Sequence, residues 1–247
     1  MNIGVLIKQD FKNLITNVNI DFFCFVYPFI VVGLFGFLFS GIYGYHGVTS
    51  YDYYGVSMMI FLIISAATIT PNTFMEQRIK SANLRIAYSP ISRWEIYASK
   101  LLSSYLFMGV IFSLDLIIFN ALGIVNYGGK NFIYVLILFM ALLLFSTTFG
   151  GAICVTLKSE ELTNKIISLI MNLFALLSGL FFPIDGLGDW ASKVANLSPL
   201  KWVLDSIFKI IYDGNFQNFS LTIGSLLGIS LLLIVVVHVN YRTEDYI

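Results

Sequence analysis

Histidine, cysteine and the acidic residues carry most protein chemistry, and in this chain of 247 residues they are few and scattered. The two histidines are His46 and His238, and the two cysteines are Cys24 and Cys154. Hydrolysis needs a nucleophile beside a base, or ligands converging on a metal. No HExxH, GxSxG or CxxC spacing is present. Gly123-Ile-Val-Asn-Tyr-Gly128-Gly129-Lys130-Asn131 approaches the phosphate-binding pattern GxxxxGK[ST]. Its first glycine stands one position early, and Asn131 replaces the hydroxyl residue that would meet Mg2+. A turn between two helices is expected there. Glu160-Glu161-Leu-Thr-Asn-Lys165 pairs two carboxylates with a cation, but no histidine within an apolar run can join them. The chain is therefore expected to have no catalytic residues, no metal site and no cofactor of its own. Cys24 and Cys154 sit in apolar runs and read as small buried hydrophobes.

The elements that would position any functional group are set by composition. Apolar residues make up 58% of the chain and charged residues 11%, with a mean hydropathy of +0.85. A soluble domain carries about 25% charged residues, so this chain has too little polar surface for water. Basic and acidic residues balance at 14 each. No cationic surplus exists to hold a phosphate backbone, which excludes nucleic acid as a partner.

Six apolar stretches are expected to span a membrane: Phe22–Ile42, Tyr54–Met75, Leu101–Leu122, Phe132–Leu157, Ile166–Phe182 and Leu221–Val239. A hydrocarbon core of about 30 Å takes roughly 17–25 helical residues. The runs are continuously apolar rather than alternating, so helices and not barrel strands are predicted. The first run reads as a retained span, since no small-residue cleavage site follows it. Of the Lys and Arg residues, ten fall on the side of the termini and four on the other. The excess of positive charge places both termini in the cytoplasm.

Residues 1–21 form a separate amphipathic helix. Ile3, Ile7, Phe11, Leu14, Ile15 and Val18 line one face, and Lys8, Gln9, Lys12, Asn13 and Asn17 the other. It suits the lipid interface. Residues 22–247 form the membrane domain. Its cytoplasmic loop 76–100 holds five basic and two acidic residues with apolar side chains between them. Pro90 breaks a first helical piece and Ser92 can cap the next. The external segment 183–220 contains Trp190, Trp202, Pro183 and Pro199, and is expected to dip into the outer membrane edge as short helices.

Within the spans the one Asp, Glu, Lys or Arg is Asp115. A carboxylate at the bilayer centre costs roughly 2.5–3.5 kcal/mol on insertion scales, and Ile111, Phe112, Ile118 and Phe119 around it offer no pairing. It either bonds to another helix or serves a pathway or gate. Thr68, Thr70, Asn72 and Asn172 are further pathway candidates and serve equally as glue between helices. The small residues Gly36, Gly150 and Gly151 permit close helix approach.

Four features together resemble the permease subunit of ABC-2 type transporters. They are Ser89-Pro90-Ile91-Ser92-Arg93-Trp94-Glu95-Ile96…Lys100 after span two, the N-terminal interfacial helix, the six-span count, and Gly179-Leu-Phe-Phe-Pro183…Trp190…Leu197-Ser198-Pro199-Leu200-Lys201 after span five. The resemblance implies an all-α exporter subunit of a bacterial cell membrane. It implies a second permease, identical or homologous, and two copies of a separate ABC ATPase that binds ATP and Mg. The loop would contain the coupling helix, with Glu76, Arg78, Arg85, Ser89, Pro90, Arg93 and Glu95 facing the ATPase. Segment 183–220 would form short re-entrant helices. The cargo implied is hydrophobic or amphipathic: a drug, peptide, lipid or glycan. The alternative is an ion-gradient-driven transporter or channel, which is expected to carry more intramembrane carboxylates or broken helices in matching halves.

Overall fold

The computed structural model describes residues 3–41, 48–75, 91–181, 193, 195–196 and 198–242. They fold as helices: α1 (Ile3–Ile15), α2 (Val18–Leu38), α3 (Ser50–Met75), α4 (Arg93–Ala121), α5 (Phe132–Leu157), α6 (Glu160–Leu177), α7 (Pro199–Phe208) and α8 (Phe219–Asn240). No strand occurs among the described residues. The long helices alternate in direction. The end of the bundle that carries α1, the C-terminal end of α3 and the start of α4 is called the near end below, and the opposite end the far end.

Helix α5 is the hub, packed by α3, α4, α6 and α8. It can be approached closely because Gly150 has no side chain. A Cβ there would collide with the backbone carbonyl of Ala67, in the 3-10 turn Ala66–Thr68 that interrupts α3. Gly36 on α2 likewise makes room for the Tyr51 ring. The outer surface of the bundle carries many large apolar side chains. Along α4, Leu102, Leu106, Val110, Leu114 and Ile117 are all exposed at helical spacing. Such a stripe is stable only against lipid, where every backbone polar group must be satisfied inside its own helix.

Among the described residues, five helices, α2, α3, α4, α5 and α8, are long and apolar enough to cross a membrane. The expected fifth span, Ile166–Phe182, departs from this. Its helix α6 begins earlier, at Glu160, and carries Glu160, Glu161 and Lys165 in its first turns. It ends at Leu177, just before Gly179 adopts φ +80°, a left-handed conformation natural to glycine. The apolar part of α6 is thus shorter than the run of apolar letters suggested.

The N-terminal helix also differs in detail. It stops at Ile15, because Thr16 turns its hydroxyl back onto the carbonyls of Lys12 and Asn13, and Asn17 is extended (φ −97°, ψ 95°). Its buried stripe is Leu6, Asp10 and Leu14, while Ile15 and Val18 are exposed. An acid, not an apolar residue, lies at the centre of the packed face. The Gly128–Asn131 stretch is a turn, with Gly128 at φ +89° and a 3-10 helix over Gly129–Asn131.

Candidate functional site

Two groups of buried polar residues mark the bundle, one at each end. At the near end, α4 opens on Ser92, whose backbone N–H donates to the Glu95 carboxylate (3.1 Å). This satisfies one of the donors that a helix start leaves bare. Arg93 and Trp94 are exposed on that first turn. Two turns further in, Lys100 is only 2% exposed. Its ammonium donates to the Thr73 carbonyl (2.6 Å) in the last turn of α3 and lies 3.8 Å from the Asp10 carboxylate of α1. Asp10 is itself 5% exposed and accepts from the Ser99 hydroxyl (3.0 Å). Ser104 donates to the Lys100 carbonyl (2.9 Å) and meets the Thr73 hydroxyl (3.5 Å). Phe74 places its ring 5.9 Å from the ammonium.

The last span closes the same cluster. The Tyr97 hydroxyl bonds to His238 Nδ1 (2.9 Å), and the Tyr97 and Phe74 rings both contact Tyr241. Burial, with a further push from the Asp10 carboxylate, raises the Tyr241 phenol above its ordinary value. Helices α1, α3, α4 and α8 therefore converge here.

At the far end, Asp52 completes a capping box with Thr49 and also accepts from the Asn126 backbone (2.7 Å). Tyr127 donates to the Gly55 carbonyl (3.1 Å). Burial raises its phenol well above the ordinary value, and the carboxylates of Asp115 and Asp52 push the same way. Asp115 is thus within electrostatic reach of Tyr127. It is fully buried, yet among the described residues neither of its oxygens has a hydrogen-bond partner. A cleft of about 920 Å³ opens one turn beyond it, lined by Phe29, Gly33, Phe119, Asn120 and Val125 among others. The rings of Phe29 on α2 and Phe119 on α4 meet at a tilt in its wall, with centroids 4.6 Å apart.

The pathway candidates separate. Thr70 and Asn72 lie beside the near-end cluster, and their Oγ1 and Oδ1 are buried without partners. Thr68 bonds back to the Ser65 carbonyl (2.8 Å). Asn172 sits on the exposed face of α6 and bonds to the Ser168 carbonyl (2.8 Å). Asp115 stands apart towards the far end. Of the coupling candidates, Arg93 and Glu95 begin α4, whereas Glu76, Arg78, Arg85, Ser89 and Pro90 lie outside the described residues. Of the expected re-entrant segment, α7 is a helix packed on α3 and α8, with Phe208 stacked on Tyr53 and Ser206 bonded to Thr222. The Trp202 indole donates to the Asn196 carbonyl (2.8 Å). Trp190 lies outside the described residues.

Asp10 and Lys100 were not singled out by sequence as site residues. Each carried a signal: an acid interrupting the apolar face of α1, and a lysine two turns inside the start of a capped helix.

No three His, Cys, Asp or Glu residues converge among the described residues. The architecture is that of an all-α, multi-pass membrane protein whose buried polar groups join helices. The ABC-2 type transporter family matches residues 1–212. The chain belongs to that family and is an ABC transporter permease, a transmembrane transport subunit. No curated protein matches the chain.

Proposed function

We propose that this chain is the permease half of an ATP-driven exporter in a bacterial cell membrane, with both termini in the cytoplasm. A separate ABC ATPase, present in two copies, binds ATP and Mg and docks on loop 76–100. A second permease, identical or homologous, completes the pathway for a hydrophobic or amphipathic molecule such as a drug, peptide, lipid or glycan. Glu76, Arg78, Arg85, Ser89, Pro90, Arg93 and Glu95 are assigned to the docking surface. Thr68, Thr70, Asn72, Asp115 and Asn172 are assigned to the pathway or its gate. Asn172 would reach cargo only if the second permease covers the exposed face of α6.

The observation that supports this reading is the continuity of α4. It starts on a capped turn at Arg93, inside the segment expected as loop 76–100, and runs 29 residues unbroken to Ala121, about 43 Å at helical rise. A push received at Arg93 is delivered to the level of Asp115 and Phe119 without a hinge. ATP binding would draw the two ATPases together and tilt the helices that carry the loop.

The test is purification from the native membrane followed by charge reversal. A stoichiometric P-loop protein is expected to co-purify. Arg78→Glu with Arg85→Glu is expected to leave ATP hydrolysis running while transport falls at least about tenfold, a loss of 1.4 kcal/mol in coupling. Transport in vesicles with no ATP-hydrolysing companion would overturn the proposal.

A further inference from the structure

Helix α1 could rest on a lipid surface through apolar contact alone, and it would then be free to slide and roll. The structure gives it a more specific attachment. Its packed face is centred on Asp10, and Asp10 meets Lys100 inside the protein rather than at a wet rim. Burying two charges is expensive and adds little net stability over an apolar pair. What such a pair does supply is a single register, because any displacement strands a charge away from water.

The partners of Lys100 show which register is being held. The lysine belongs to α4, whose first turns take up residues 93–100 of the expected loop and which is the stem on its C-terminal side. Its ammonium donates to Thr73, two residues before the end of α3, the stem ahead of the loop. The same ammonium faces Asp10 on α1, and Ser99 next to it donates to Asp10 (3.0 Å). One cation therefore ties both stems of the loop to the N-terminal helix. Phe11 packs edge-on to Phe107 (5.7 Å) beside it and aligns the two helices. Beyond Ile15, α1 passes through the extended Asn17 directly into α2.

We infer that Asp10 and Lys100 are a positioning pair that fixes α1 to both stems of the loop, so that load arriving at the loop moves α1 and, through it, α2. This rests on the coupling role proposed above for the loop. It adds a second route for the load. One route runs along α4 itself, and the other runs through the Asp10–Lys100 pair and α1 into the first span.

The test measures whether α1 and α4 move as one body. Spin labels are placed at Lys8→Cys and Trp94→Cys, both exposed, while the native Cys24 and Cys154 are buried. The full chain is reconstituted in phospholipid nanodiscs and the distance distribution between labels is read. The wild-type pair is expected to give one narrow distribution. Asp10→Asn combined with Lys100→Met removes both charges without orphaning either, and Asn still accepts from Ser99. It is expected to broaden the distribution about twofold, as register is lost. Ser99→Ala keeps the ion pair and is expected to stay narrow. Should the double variant fail to reconstitute, Asp10→Asn alone is read by the same criterion. A distribution unchanged from wild type in these charge variants overturns the inference.

A second arm uses the complex with its co-purified ATPase, trapped with ATP and vanadate. The wild-type α1–α4 distance is expected to remain the same on trapping, and a shift in it overturns the one-body claim. If no ATPase co-purifies, the proposed function fails, yet the nanodisc arm still decides the role of the pair.

Discussion

Asp10, packed against α4, and Asp115, on α4 itself, are both buried acids, and the fold treats them in opposite ways. Asp10, near the membrane edge, has a cation at 3.8 Å and a hydroxyl donor at 3.0 Å. Asp115, deep in the helix, has two oxygens and no donor. A buried polar group is normally satisfied by the protein. The near-end acid obeys that rule and behaves as a structural joint. The far-end acid breaks it among the described residues. The difference separates an acid that joins helices from one whose burial leaves it without a donor.

This contrast can be broken by mutation, and the largest effect should come from Asp10. Asp10→Ala leaves the Lys100 ammonium buried without its carboxylate, which is expected to cost about 3–5 kcal/mol. Unfolding midpoints in detergent would show it. A cost below about 1 kcal/mol would mean that Lys100 escapes to water and that the joint is weak.

The seam between the two acids sets the next scale. Gly150→Ala drives a methyl group into the Ala67 backbone carbonyl, an overpacking expected to cost about 1–3 kcal/mol. The same unfolding assay reads it. If the change is neutral, α3 and α5 are free to separate and α5 is not the hub described here.

At Asp115 the sign should reverse. Asp115→Leu removes an unsatisfied buried carboxyl and is expected to stabilise the protein by about 1–2 kcal/mol. Transport should fall in the same variant if the free carboxyl belongs to the pathway. A destabilisation matching that of Asp10→Ala would erase the contrast, because it would reveal a hidden partner.

The smallest effect concerns the closure of the near end by the last span. Tyr97→Phe deletes the bond to His238 and keeps the ring contacts with Tyr241, so a loss of about 0.5–1.5 kcal/mol is expected. It should be additive with Gly150→Ala and non-additive with Asp10→Ala if the near-end cluster acts as a unit. A double-mutant cycle decides between the two.

Much of the helical layout was legible in the letters, because a lipid solvent demands long uninterrupted apolar runs. The start of α4 at Ser92 and the turn at Gly128 were equally legible, since caps and glycine turns are local. The fifth run was misjudged in length. Apolar letters continue past Gly179, but a left-handed glycine ends the helix regardless of hydropathy. The face of α1 was only partly legible. Ile15 and Val18 fit the apolar stripe on paper, yet Ile15 lies on the side of α1 away from Leu6, Asp10 and Leu14, and Val18 comes after the turn at Thr16–Asn17. The sequence also raised Thr68, Thr70, Asn72, Asp115 and Asn172 on equal terms. Only their surroundings distinguish an exposed Asn172 from a buried, partnerless Asp115.

Sequence alone determined that the chain lives in lipid, that its spans are helices, and where positive charge gathers between them. These follow from solvent transfer and backbone satisfaction, which depend on composition and order along the chain. Tertiary structure decided which polar groups are partners. Asp10 and Lys100 are ninety residues apart, and nothing local distinguishes a lysine that will reach water from one that will be enclosed. Their meeting depends on how α1 lies across α3 and α4, a contact that exists only once the bundle has closed.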